Sequence, residues 1–376
     1  MSTRPVVVHA RPIEAAIDAR YMDRALALAA RGWGRVQPNP LVGAVVVDVA
    51  GNVVGEGWHA AYGEPHAEAE ALSRAGAAAA GGTLYVTLEP CAHQGNTPPC
   101  TDAVLRSGIA RLVVALRDPN PVAAGGLERI AEAGVEVATG VREEEAADQN
   151  AAFLHWHRTG TPYVALKYGM SLDARLGTEV GQALEVTGVD ALAEVQRLRA
   201  GFDAIMVGSR TALIDDPRLT VRGEVKPRRP PIRVVLDSDL RLSPESRLAA
   251  GVDRAPSWVF CAPDAPGNAA PLEARGVRVE RARRAPGGGL DLEDVMQRLA
   301  AADVRSVLCE GGGRLGAALL SADLVARQYV FMAPVLLGEQ GPPAFPAIGG
   351  QALARRWRAV RSARFGDDIL LELARD

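Results

Sequence analysis

A histidine, a glutamate and two cysteines are spaced as a hydrolytic metal site requires. His66 and Glu68 stand two positions apart in one short segment, and Cys91 and Cys100 follow in another. Zinc binds a neutral imidazole and two thiolates readily, and three protein ligands leave a fourth position open for water. Zinc also lowers the pKa of such a water to about 7, so a nucleophile exists at neutral pH. The pattern therefore predicts a catalytic zinc site able to attack an amidine carbon.

Glu68 is predicted to move the proton of that water. The segment from Pro65 to Leu72 is typical of the first turns of a helix whose N-terminus points into the site. A carboxylate that is not a ligand can pass the proton to the departing ammonia, as in the zinc nucleobase deaminases. The alternative is that His66 is a surface helix residue and both cysteines are buried apolar side chains. That alternative requires three potential ligands and a glutamate to fall into register by accident.

The overall composition limits the class of protein. A chain of 376 residues exceeds what one core usually serves, so two domains are expected. The formal net charge of −3 shows no excess of basic residues that would bind a polyanion, which argues against a DNA or RNA deaminase. Cys261 and Cys309 lie in apolar runs typical of buried strands, so we expect no disulfides and a reducing compartment. No run is long enough to cross a bilayer and no signal peptide is recognisable. These features predict a cytoplasmic enzyme with neither a membrane nor a nucleic-acid partner.

The first part of the chain predicts strands alternating with helices. An amphipathic helix is expected over 14–31, followed by strands over 41–47 and 53–59 joined by a turn. Further strands are expected over 83–88, 111–116 and 135–138, and further helices over 98–107, 127–133 and 143–159. Such alternation indicates a sheet covered by helices on both faces. Asn39 is held between two prolines before the first strand. A turn asparagine is the usual interpretation, but the zinc site that follows favours an amide that binds a base.

Four short motifs resemble the family of bifunctional riboflavin biosynthesis proteins, RibD. They are Pro38-Asn39-Pro40, Pro65-His66-Ala67-Glu68, Thr87-Leu88-Glu89-Pro90-Cys91 and Thr97-Pro98-Pro99-Cys100. The resemblance implies a cytidine-deaminase-like α/β/α sandwich over residues 1–157 and an α/β reductase domain with a dihydrofolate-reductase-like fold over 158–376. It also implies that His66, Cys91 and Cys100 bind zinc and that Glu68 is the proton donor. By the same resemblance Asn39, His59 and His93 lie near the substrate.

In the second part of the chain, two predicted strands each run through glycine directly into a helix. The first covers 202–207 and precedes Gly208-Ser209, and the second covers 304–308 and precedes Gly311-Gly312-Gly313. Such a junction leaves backbone N–H groups free for a phosphate. As a dinucleotide fingerprint the second is weak, and glycines for close packing of strand and helix are the alternative. The family resemblance favours NADPH.

Carried over position by position, the resemblance implies a cofactor site and a substrate site in this second part. The cofactor positions are Lys167, Thr211, Asp215, Asp237, Gly312, Gly313, Arg314, Leu315, Gly316, Ala317 and Ala318. The substrate positions are Arg199, Leu219, Arg222 and Glu310. Arg199 and Arg222 are suited to a phosphate, because the planar guanidinium group matches the geometry of phosphate oxygens. The alternative is that either arginine forms an ordinary surface ion pair.

Three departures from the family pattern bear on function. Asn96 replaces a Lys or Arg, Ala183 and Glu185 stand where a Ser-x-Trp is usual, and the loop over 118–126 is a residue shorter. We predict a bifunctional, homodimeric enzyme of riboflavin biosynthesis that deaminates a phosphorylated pyrimidine and then reduces its ribosyl group with NADPH. The alternative is a deaminase of a related pyrimidine pathway whose C-terminal domain is reductase-inactive and serves in binding or dimerisation.

Overall fold

The computed structural model describes residues 12–94, 98–179, 184–346, 348–349 and 354–375. Asn96 and Ala183 lie outside the described residues. The chain divides into two compact units, Met1–Thr159 and Gly160–Asp376, and each unit has its own sheet. Among the described residues, no helix has the length and apolar character needed to cross a membrane.

The first unit contains one five-stranded sheet and six helices among its described residues. The strands are β1 (Gly43–Val47), β2 (Val53–Trp58), β3 (Thr83–Leu88), β4 (Arg111–Leu116) and β5 (Glu136–Thr139). The helices are α1 (Pro12–Ala29), α2 (Ala67–Ala75), α3 (Cys100–Ser107), α4 (Gly126–Glu132), α5 (Glu143–Gln149) and α6 (Ala151–Thr159). The strand order is β2-β1-β3-β4-β5, with β1 antiparallel to both neighbours and β3, β4 and β5 parallel.

Helices cover both faces of this sheet, because residues along each strand alternate between two cores. Val46 and Val86 face a core shared with α2, α3 and α4, while Val45 and Tyr85 face a core shared with α1 and α5. Helix α2 lies close to β2 because Gly57 has no side chain: a Cβ there would come within 2.3 Å of the Ala67 carbonyl oxygen. The predicted three-layer sandwich is confirmed.

The second unit contains a nine-stranded sheet. The strands are β6 (Tyr163–Ser171), β7 (Ala204–Gly208), β8 (Ile232–Leu236), β9 (Ser257–Cys261), β10 (Arg278–Arg281), β11 (Ser306–Cys309), β12 (Val325–Ala333), β13 (Arg358–Phe365) and β14 (Asp368–Ala374). The helices are α7 (Val189–Ala200), α8 (Ser209–Asp215), α9 (Arg247–Ala250), α10 (Ala270–Ala274), α11 (Leu292–Ala301) and α12 (Gly313–Ser321).

The order of this sheet is β10-β9-β8-β7-β11-β6-β12-β14-β13. The first seven strands in this order, from β10 to β12, are parallel to one another. The hairpin of β14 and β13 completes the sheet, with β14 antiparallel to β12. One face packs on α11 and α12, and the other on α8, α9 and α10. The carboxyl ends of β8, β7, β11 and β6 therefore share one edge, where ligand sites of parallel sheets form.

One predicted helix differs from the structure. The expected helix over 143–159 is divided at Asn150 into α5 and α6. The buried Asn150 side chain accepts a hydrogen bond from the Leu41 backbone N–H at 2.8 Å and donates one to the Leu41 carbonyl at 2.9 Å. This long-range pairing ties the helix junction to the loop that carries Asn39.

Candidate active sites

Three elements of the first unit bring the predicted zinc ligands together. His66 immediately precedes α2, Cys91 follows the end of β3, and Cys100 is the first residue of α3. Their ligand atoms all lie within 4.8 Å of one another. The Nδ1 atom of His66 is 3.6 Å from the sulphur of Cys91 and 3.3 Å from that of Cys100. Residues that are well separated along the chain thus converge at one point.

The geometry of this cluster fits a tetrahedral zinc ion. Zn–S distances of about 2.3 Å and Zn–N distances of about 2.1 Å place a sulphur and a nitrogen ligand about 3.6 Å apart. The observed separations of 3.6 and 3.3 Å are close to this value. Hydrogen bonds from the Cys100 thiol and from His66 lower the pKa of Cys91, which favours the thiolate that a metal needs.

Glu68 lies in the first turn of α2, beside this cluster. Its side chain is buried, and burial raises the pKa of Glu68 to about 7, although the charge of His66 acts in the opposite direction. A carboxyl group that titrates near neutrality can both accept and release a proton under ordinary conditions. The placement of Glu68 therefore suits a proton shuttle.

Two of the three residues predicted near the pyrimidine meet next to His66. The amide nitrogen of Asn39 lies 3.2 Å from Nε2 of His59, and the His59 and His66 rings are 5.3 Å apart in an edge arrangement. Burial lowers the pKa of His59, which keeps its imidazole neutral. His93 lies on the loop between the cysteines, and its buried Nδ1 has no hydrogen-bond partner among the described residues. A ligand atom could satisfy that nitrogen.

Glu89 supports the segment that carries Cys91, a role that was not predicted from the sequence. One of its carboxylate oxygens accepts hydrogen bonds from the backbone N–H groups of Gly125, Gly126 and Leu127 at 2.9 to 3.3 Å. The other accepts from the N–H of Asp118 at 3.3 Å. Glu89 thereby joins the end of β3, two residues before Cys91, to the start of α4. Its position in the Glu-Pro-Cys motif was the only local signal.

The second unit contains a buried charged cluster at the shared carboxyl edge. Arg199 from α7 donates two hydrogen bonds to Glu310, at 2.6 and 2.9 Å, and Lys167 of β6 approaches Glu310 at 3.4 Å. Burial alone would raise the pKa of Glu310, but the two cations outweigh burial and lower the pKa to about 2. The cluster brings three predicted site residues together. It also shows that Arg199 forms the ion pair that the sequence left as an alternative.

The remaining substrate positions lie on one loop beside this cluster. The Thr220 carbonyl accepts a hydrogen bond from Arg199 at 3.2 Å, and the Gln196 side chain accepts one from the Arg222 backbone N–H at 2.8 Å. Leu219 is buried with a φ of +47°, while Arg222 is exposed. Gln196 is a second residue that sequence reasoning missed, because its role depends on a contact 26 positions away.

The glycine segment forms the start of α12, as predicted. The Gly312 N–H donates to the Thr211 hydroxyl at 3.2 Å, which joins two predicted cofactor positions. The first turn of a helix has N–H groups without intrahelical partners, so this turn is suited to a phosphate. A Cβ at Gly316 would lie 1.7 Å from the Tyr168 hydroxyl, so glycine there is also a packing requirement. Close packing therefore accounts for Gly316, and phosphate binding by the first turn of α12 stays a prediction.

Other predicted cofactor positions differ in accessibility. Arg314, Ala318 and Asp215 are exposed, Gly313 and Ala317 are buried, and Leu315 is half-buried. Asp237 is fully buried, and its carboxylate accepts from the N–H groups of Arg241 and Leu242 at 2.6 and 2.8 Å. Asp237 thus fixes the loop after β8. Glu185, at one of the departures, is exposed.

Two family models match the two units. Residues 15–116 match the cytidine and deoxycytidylate deaminase zinc-binding region, and residues 162–371 match the RibD C-terminal domain. The class of protein is thus a zinc-dependent deaminase joined to a reductase.

Whole-chain relatives identify the family. The chain is 40% identical to riboflavin biosynthesis protein RibD of Escherichia coli over 95% of this chain and 99% of that protein. It is 41% identical to RibD of Aquifex aeolicus over 86% of this chain and 88% of that one. The structure of Acinetobacter baumannii RibD matches with a TM-score of 0.81 and 35% identity, covering 96% of this chain and 99% of that chain. The chain belongs to the RibD family of riboflavin biosynthesis proteins.

Proposed function

We infer that this chain catalyses two successive steps of riboflavin biosynthesis. The first is hydrolysis of 2,5-diamino-6-(5-phosphoribosylamino)pyrimidin-4-one to 5-amino-6-(5-phosphoribosylamino)uracil, with release of ammonia. The second is reduction of the ribosyl group of that product to ribityl by NADPH. The observation that supports the first step most directly is the convergence of His66, Cys91 and Cys100 beside the buried Glu68.

For the deaminase site, we propose that His66, Cys91 and Cys100 hold zinc. Zinc, when bound, supplies a water-derived nucleophile at neutral pH. Glu68 takes a proton during attack and returns it to the leaving ammonia, for which a pKa of about 7 is suited. Asn39 and the neutral His59 contact the pyrimidine ring, and His93 contacts the substrate from the loop between the cysteines.

For the reductase site, we propose that the N-terminal turn of α12 and Thr211 hold the NADPH phosphates. Asp215 and Asp237 border that site, the latter through the loop that it fixes. Lys167, Arg199 and Glu310 form the charged wall at the reacting end, where NADPH supplies a hydride. Leu219 and the exposed Arg222 contact the phosphorylated substrate. The domain assignment, deaminase over 1–157 and reductase over 158–376, belongs to this proposal, as do a homodimeric assembly and a cytoplasmic location.

The reductase-inactive alternative has no observation in its favour. The features that favoured it were Asn96 and Glu185. Glu185 is exposed, and the cluster of Lys167, Arg199 and Glu310 is assembled. One assay tests both steps: anaerobic incubation with the diaminopyrimidine substrate, with ammonia and NADPH followed separately. We expect ammonia release without NADPH, and NADPH consumption only after deamination. Ammonia release with no NADPH consumption would restore the alternative.

A further inference from the structure

Arg241 lies just beyond the end of β8, at the edge of the sheet that carries the cofactor turn. Strands β8, β7 and β11 are parallel neighbours, so their carboxyl ends lie side by side. The Arg241 side chain is 54% exposed, in contrast to the buried Asp237 at the same strand end. No family motif pointed to this arginine.

The first turn of α8 connects Arg241 to the cofactor turn. The Thr211 hydroxyl accepts from the Gly312 N–H at 3.2 Å on one side. The Ser209 hydroxyl accepts from a terminal nitrogen of Arg241 at 2.8 Å on the other. Ser209 and Thr211 are two positions apart, so the first turn of α8 contacts both the cofactor turn at Gly312 and the side chain of Arg241.

The order of strands determines which end of the cofactor reaches Arg241. Lys167 lies on β6, and Glu310 directly follows β11. The cofactor turn at Gly312 follows β11 and contacts Thr211, which follows β7. With the nicotinamide at the cluster and the phosphates at the turn, the adenosine must extend over β7 and β8. Neighbouring strands are about 4.8 Å apart, so β6 and β8 are separated by roughly 14 Å, a distance that suits an extended dinucleotide.

The charges at this end favour a phosphate over a hydroxyl group. Ribose hydroxyls of NADH are usually bound by a carboxylate, whereas an arginine accommodates the 2′-phosphate of NADPH. One oxygen of the Asp237 carboxylate accepts from two backbone N–H groups, and the other accepts from Nε of Arg241 at 3.4 Å. Asp239 is paired with Arg284 at 3.4 Å and lies 3.9 Å from Arg241. Of the two arginines beside these carboxylates, Arg241 has the more exposed side chain, at 54% against 36% for Arg284.

We propose that Arg241, together with the Ser209 hydroxyl, binds the 2′-phosphate of NADPH and determines the preference for NADPH over NADH. The inference rests on the NADPH site proposed above. Asp237 and Ser209 hold the guanidinium in place, so the fork is oriented before the cofactor arrives. The 2′-phosphate would then accept hydrogen bonds from both side chains.

Binding measurements on the full-length protein test this proposal. Fluorescence titration with NADPH and NADH gives the preference of the parent, of Arg241→Ala, and of Arg241→Lys. We expect Arg241→Ala to bind NADPH about tenfold to a hundredfold more weakly, which is the effect of losing a hydrogen bond to a charged group. Its affinity for NADH should stay within about twofold, and Arg241→Lys should retain part of the preference, since it keeps the charge without the fork.

Calorimetry with adenosine 2′,5′-bisphosphate and adenosine 5′-monophosphate isolates the phosphate contact. Only the bisphosphate should bind more weakly to Arg241→Ala, and Ser209→Ala should show a smaller loss in the same sense. Arg283→Ala removes an exposed arginine of the same unit and serves as the control, with no change expected. Equal weakening of NADPH and NADH, or an unchanged preference, would overturn this proposal alone. A parent that binds neither cofactor would overturn the proposed NADPH site as well.

Discussion

Glu68 is buried and lies next to the three side chains that are proposed to hold zinc. We expect Glu68→Gln to retain zinc, because Glu68 is not one of the converging ligands, while ammonia release falls on the order of a hundredfold or more. Metal analysis and an ammonia assay on the same preparation check both parts. Cys91→Ser and Cys100→Ser should instead lose zinc. Deamination by Glu68→Gln at a rate near that of the parent would contradict the role of Glu68 in proton transfer.

Glu310 should make the stability of the second unit sensitive to acid. Its pKa is about 2 in the folded protein and ordinarily about 4.3. Between these values the unfolded chain binds more protons, so stability falls as the pH falls through this window and is fully present above it. The contribution is up to about 3 kcal/mol, from about 1.4 kcal/mol per pKa unit.

Comparing the parent with Glu310→Gln tests this prediction. The difference in unfolding free energy should be several kcal/mol near pH 7, because Arg199 is left as a buried, unpaired charge. The difference should narrow toward about pH 3 as the parent loses its own contribution. Chemical unfolding at a series of pH values measures it, with the exposed Glu339→Gln as the control. A difference that does not change with pH would contradict the pKa assigned to Glu310.

Glu89 fixes the segment that carries Cys91 to the start of α4. Glu89→Gln exchanges one accepting oxygen for an amide nitrogen, which leaves either the Asp118 N–H or the α4 N–H groups without a partner. We expect a loss of about 1–3 kcal/mol in stability, and faster zinc release to a chelator. Glu128→Gln on the same helix, where the pair with Arg117 is half-exposed, should change either quantity little. Zinc release at the parent's rate would show that the segment carrying Cys91 keeps its position without the hydrogen bonds of Glu89.

The elements also show why sequence reasoning succeeded in some places and failed in others. The strands over 83–88 and 111–116 were predicted with the observed bounds, because their apolar runs and the glycines and prolines that flank them are local signals. The convergence of His66, Cys91 and Cys100 was predicted from residue type and family motif. The break at Asn150 and the contacts of Glu89 and Gln196 were not predicted, since each depends on a partner distant in sequence.

The two proposed reactions use separate sets of residues. The candidate zinc ligands all belong to residues 1–159, and the candidate cofactor positions all belong to residues 160–376. Removing zinc with a chelator should therefore abolish ammonia release and leave the affinity for NADPH within about twofold. Dialysis, metal analysis and fluorescence titration check this expectation, and re-addition of zinc should restore deamination. A parallel loss of NADPH binding would show that the two sites depend on each other.

The nine-stranded sheet ends in two strands that are rich in charge. Strand β10 places Arg278, Glu280 and Arg281 among its four residues, and β13 contains Arg358, Arg361 and Arg364. Unpaired strand edges are templates for aggregation, and charged side chains on them discourage pairing with another chain. The protein should consequently stay dispersed at high concentration. Replacing the three charges of β10 with threonine should increase light scattering on concentration, and unchanged scattering would show that these charges do not protect the edge.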